Sequence, residues 1–119
     1  MDLSRLPEPL RARAEELTAR PPIDKVRDLL RSHVEPAEDL DEVGRSFRSA
    51  ARNNIFFLKQ NLAALEEILS SPQEPGTLLR LVEWDANWAI DHDQTDSGAG
   101  RFLSEIAQML REAIEQQDR

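Results

Sequence analysis

The 119-residue chain contains no cysteine and no tyrosine, and only four glycines and two histidines. Without thiols there is no cysteine nucleophile, no thiolate-bound zinc, no iron–sulfur centre and no disulfide scaffold. Long apolar runs are also missing. A stretch such as Ile55-Phe56-Phe57-Leu58 falls far short of the ~20 residues a membrane helix needs, so no membrane partner is expected. Met1-Asp2-Leu3-Ser4-Arg5-Leu6-Pro7 has neither an apolar core region nor a basic leader, and cytoplasmic residence is the resulting expectation. Neither His33 nor His92 stands in a nucleophile-elbow or triad context.

What is present suits one folded domain over residues 1–119. Hydrophobic residues make up 39% and charged residues 32%, more globular than disordered in balance. The net charge of −8 is unevenly spread. Residues 1–59 hold 11 bases and 11 acids, whereas residues 60–119 hold 4 bases and 12 acids, so the second half carries the whole excess. Such a surface repels phosphate backbones. Direct nucleic-acid binding is disfavoured and a basic protein partner is favoured.

Prolines and polar clusters divide the chain into helical segments with no convincing strand. The periodicity predicts an all-α fold, a compact antiparallel bundle or orthogonal array of five to six helices. Their approximate spans are 7–19, 23–33, 37–52, 54–70, 77–90 and 97–116. Two apolar stripes are clearest: Ile55, Leu58, Leu62, Leu65 and Leu69 in one segment, and Leu103, Ile106, Leu110, Ala113 and Ile114 in the last. Arg45, Arg48 and Arg52 fall at i, i+3 and i+7 and form a basic ridge. The ordinary expectation is that carboxylates just upstream (Glu35, Glu38, Asp39, Asp41, Glu42) neutralise it within the fold.

The densest constellation is the acidic stretch from Glu83 to Asp96. It holds Glu83, Asp85, Asp91, Asp93 and Asp96, and no lysine or arginine occurs between Arg80 and Arg101. A helix running through it would place Trp84 and Trp88 on one side. Aromatic anchors beside carboxylates are the residue types a cationic partner meets. Glu83, Trp84, Asp85, Trp88, Asp91, Asp93 and Asp96 are therefore the candidate partner-binding residues. The plainer alternative makes the tryptophans core and the acids a solvated loop.

Other chemistry fits less well. Asp91-x-Asp93-x-Thr95 opens like a calcium loop, but its sixth position is Asp96 instead of glycine and its twelfth is Phe102 instead of glutamate. Capping of the last helix by Asp96 or Ser97 is the expected role there. Gly98-Ala99-Gly100 fits neither phosphate-binding fingerprint. His92-Asp93 lacks the further ligands of a metal phosphohydrolase. No catalytic residue, metal or cofactor is expected.

The segment Leu81-Val82-Glu83-Trp84-Asp85-Ala86-Asn87-Trp88, followed by Asp96-Ser97-Gly98-Ala99-Gly100-Arg101-Phe102-Leu103, resembles small bacterial immunity proteins of contact-dependent growth inhibition and related polymorphic toxin systems. The resemblance lies within residues 81–103 and contains no catalytic motif. It implies a cytoplasmic protein that neutralises a cognate, basic toxin by tight binding. The competing expectations are a helical adaptor that binds another protein's helix, and a metal-dependent hydrolase using Asp91, His92 and Asp93.

Overall fold

The computed structural model describes residues 7–90 and 94–118. All regular structure among them is helical: α1 (Glu8–Thr18), α2 (Pro22–Leu29), α3 (Leu40–Asn53), α4 (Phe56–Ser70), α5 (Thr77–Arg80) and α6 (Asp96–Asp118). Two helices continue into single π-helical turns, α2 through Leu30–Val34 and α5 through Leu81–Asp85.

Local chemistry explains most boundaries. Pro21-Pro22 opens α2, where a proline at the first position loses no intrahelical hydrogen bond. Helix α3 starts at Leu40, later than the expected Ala37, because Asp39 is extended and its carboxylate accepts a hydrogen bond from the Glu42 amide at 2.9 Å. Asn54 ends α3 and its side chain accepts from the Phe56 amide at 2.8 Å, which starts α4. Gly76 precedes α5 at φ +88°, a left-handed conformation that favours glycine.

One expected helix is cut short. A helix over 77–90 does not form. The π-helical turn closes with the Ala86 amide donating to the Leu81 carbonyl at 2.9 Å. Asn87 then takes φ +50°, and the Trp88 amide returns to the Val82 carbonyl at 3.0 Å. That is a left-handed C-terminal cap, and asparagine is the residue after glycine that tolerates it best.

The buried apolar side chains form one continuous cluster. Helix α6 lies centrally, packed on α3, α4 and α5, while α2 packs on α4. The α6 stripe is inside as expected, with Leu103, Ile106, Leu110, Ala113 and Ile114 all buried. In α4, Leu58 and Leu65 are buried and Ile55, Leu62 and Leu69 pack partly covered against the cluster. Burying a leucine or isoleucine fully contributes roughly 1.5–3 kcal/mol, so these stripes, together with Leu29, Leu30, Val43, Phe47 and Leu81 of the same cluster, hold the fold together. Helix α1 adds little, since Ala14 is its buried apolar residue among those described. It is tied to α4 where the Gln60 amide donates to the Thr18 hydroxyl at 2.9 Å.

Candidate functional site: the Trp84 turn

The second π-helical turn positions the candidate residues. Its inner side buries Leu81, Val82 and Asp85, and its outer side carries Glu83 and Trp84. Asp85 is 5% exposed. Its carboxylate is met by Arg31 at 2.7 Å, from the first π-helical turn, and by Arg27 at 3.8 Å, from α2. A buried carboxylate demands such partners, because desolvating an unpaired charge costs several kcal/mol. The acidic stretch thus has bases after all, supplied from a part of the chain far away in sequence.

Trp84 stands on the outside of this turn, 73% exposed. Trp88 does not share its side, because the chain leaves the helix at Asn87. Trp88 is half-buried and packs on Phe102 of α6, with ring centroids 5.5 Å apart and planes tilted by 37°. Together they form one wall of an open groove of about 1100 Å³, whose other walls include Leu40, Leu69, Leu78 and Ile90.

Asp96 is engaged elsewhere than expected. Its two carboxylate oxygens accept hydrogen bonds from the amides of Gly76 at 2.6 Å and Leu79 at 3.0 Å, so it caps α5 and ties the start of α6 to it. These backbone hydrogen bonds hold the Asp96 carboxyl below the usual carboxylate range. The cap of α6 is Thr95, whose hydroxyl accepts from the Gly98 amide at 3.1 Å.

Of the expected acids, Asp85 is therefore inward-facing and paired, Asp96 is a cap, and Glu83 is exposed beside Trp84. Asp91 and Asp93 lie outside the described residues, as does His92. Among the described residues, no cluster of three or more metal-ligating side chains occurs. Arg27, Arg31 and Phe102 belong to the site and were not expected there. Nothing local in the sequence marks them, because each comes to Asp85 or Trp88 by tertiary packing. Asn87, read in the sequence as the interior of a helix over 77–90, carried the one local signal that could have marked its end, since asparagine tolerates the left-handed region.

Comparison with known protein families, with curated proteins and with solved structures gives no match.

Proposed function

We propose that the protein is a non-enzymatic protein-binding module, and in particular an immunity-type inhibitor that neutralises a basic toxin domain with Trp84 at the centre of its contact. The observation that carries this reading is the 73% exposure of Trp84 on a turn anchored by the ion pair of buried Asp85 with Arg31. An exposed indole leaves a large apolar surface in water, and tryptophan is among the residues most enriched at interface hot spots. Anchoring of the turn by that pair would limit the ordering cost of binding. The net charge of −8 would steer a cationic partner toward the complex.

The test is capture of a basic protein partner from the native host by the tagged chain, followed by binding measurements with the captured partner. Trp84→Ala is expected to weaken binding by about 2 kcal/mol or more, and Glu83→Lys to slow association with a smaller effect on dissociation. Unchanged binding by Trp84→Ala would remove this surface from consideration.

The groove beside Trp88 favours a second reading, a helical adaptor that receives an apolar helix from another protein. There Phe102→Ala and Leu78→Ala, both on the groove wall, would abolish partner binding while Trp84→Ala left it intact.

A further inference from the structure

Where the second π-helical turn ends, the chain folds back and leaves a small recess apart from the large groove. Glu83, Asn87, Trp88, Ala89, Ile90 and Gln94 line this hollow of about 340 Å³. Asn87 shapes it. Its left-handed backbone turns the chain out of the helix and lays Trp88 beside the turn, where the Trp88 amide reaches the Val82 carbonyl. Trp88 lines both the recess and the large groove, so its ring stands between the two hollows, braced on Phe102.

The electrostatics of this recess have one sign. Among the described residues no base lines it, and its one charged side chain is Glu83. Glu83 is exposed and forms no ion pair among the described residues. The backbone adds to the same sign. Helix carbonyls point toward the C-terminal end of their helix, and the recess lies at that end. The Ala86 and Trp88 amides take up the Leu81 and Val82 carbonyls, whereas those of Glu83, Trp84 and Asp85 accept no backbone hydrogen bond among the described residues. The side-chain amides of Asn87 and Gln94 each bring a further acceptor oxygen, and an indole attracts cations to its face. Carboxylate, carbonyls, amides and indole thus all favour a cation, and nothing in the lining balances them with a fixed positive charge.

We propose that this recess receives an arginine side chain of a basic protein partner. The inference rests on the reading above for the existence of that partner and adds what the partner inserts next to the Trp84 contact. At ~30 Å³ per water, the hollow has room for roughly eleven waters, so an arginine side chain enters along its whole length and a few waters stay. A bare divalent ion is a poor match, because hard cations gather several oxygen ligands with carboxylates among them, and a single carboxylate lines the hollow. Arginine fits better than lysine. Its planar guanidinium stacks on an indole and spreads its N–H donors over acceptors on several sides, whereas an ammonium is a compact, strongly hydrated point charge. Glu83, exposed at the rim, draws the cation in, and the indole, amides and carbonyls hold it.

The probe is N-acetyl-arginine amide, titrated into the nitrogen-15-labelled protein beside N-acetyl-lysine amide and the uncharged citrulline counterpart. Trp84→Phe and Trp88→Phe assign the indole Nε1–H signals. The arginine compound is expected to move the Trp88 signal saturably and leave that of Trp84 in place, with the effect weakened by added salt. The lysine compound should need about threefold higher concentration or more, and the citrulline compound should move neither signal. Asn87→Gly keeps the left-handed backbone and removes one acceptor. Combined with Glu83→Gln it is expected to weaken binding about fivefold. Circular dichroism checks the fold, and Glu83→Gln alone, with about a twofold loss, serves if the double variant does not fold. No shift at Trp88, an equal shift with citrulline, tighter binding of lysine, or unchanged affinity in the variants would overturn the proposal. So would calcium chloride moving the same signals at lower concentration than the arginine compound. Trp84→Ala separates this inference from the reading it rests on, because it should titrate with arginine as the wild type does. Partner binding lost in Trp84→Ala, with no arginine shift at Trp88 in the wild type, would remove the recess alone. Partner binding kept in Trp84→Ala, with the arginine shift present, would remove the Trp84 contact alone.

Discussion

The Arg31 guanidinium lies 2.7 Å from the buried carboxylate of Asp85, so the π-helical turns Leu30–Val34 and Leu81–Asp85 are joined by an ion pair. π-Helical turns expose an extra residue's worth of backbone and recur at functional positions. Here the pairing places Asp85 inside and Trp84 outside on consecutive residues of the same turn.

Removing one partner of a buried pair strands the other. Arg31 keeps access to solvent, with its side chain 66% exposed, whereas Asp85 does not. Arg31→Ala is therefore expected to destabilise the fold more than a surface substitution does. Asp85→Ala leaves two arginines able to hydrate and should cost about 1–3 kcal/mol. Urea unfolding of both single variants and the double variant measures the coupling, and additivity within error would show that the pair does not act as a unit.

The two tryptophans should separate spectroscopically. Trp88→Phe leaves Trp84 alone, with red-shifted emission fully accessible to iodide. Trp84→Phe leaves the half-buried Trp88, with bluer emission that is partly protected. Stability should follow the same division: Trp84→Ala within about 0.5 kcal/mol of wild type, and Trp88→Ala lower by about 1–3 kcal/mol through the lost packing on Phe102. Equal quenching of the two single-tryptophan variants would contradict the arrangement.

Asp96 confers a pH dependence on the acid side. Its folded pKa lies below the ordinary carboxylate value, first because the Gly76 and Leu79 amides donate to the ionised form. The stabilisation is present above the unfolded pKa of about 4 and is lost as pH falls through the folded value. Asp96→Asn is expected to be less stable than wild type at neutral pH, with the gap closing under acid. Thermal melts at a series of pH values test this, and a gap that stays constant from neutral to acid would refute it.

His33 acts in the next pH window up. Burial beside Phe47, with ring centroids 5.3 Å apart, pushes the imidazole pKa below its usual value. Its Nδ1 also shares a 2.7 Å hydrogen bond with the Ser46 hydroxyl. The unfolded chain takes up a proton first, so stability falls as pH drops below about 6.5 and levels off beneath the folded pKa. In His33→Asn this component should vanish. Unfolding free energies of the two proteins that run parallel between pH 7 and pH 5 would count against it.

The all-α class and the faces of α4 and α6 were legible in the residues alone, because a helix buries a stripe whose spacing is fixed by its own 3.6-residue period. The same local logic accounts for Asn54 as a cap and Pro21-Pro22 as a break. It also located the Trp84 region as the unusual stretch, from two tryptophans set among acids. Tertiary structure decided what that stretch presents. The cap at Asn87 took Trp88 away from Trp84's side, Arg31 and Arg27 claimed Asp85, and the amides of α5 claimed Asp96. Charge pairing depends on distance in space, and residues 31 and 85 become neighbours only when α2 and α5 pack into the same core. For the same reason no close ion pair forms at Arg45, Arg48 or Arg52 among the described residues, although a run of acids directly precedes them in the chain and Asp41 lines a recess with Arg45 and Arg48.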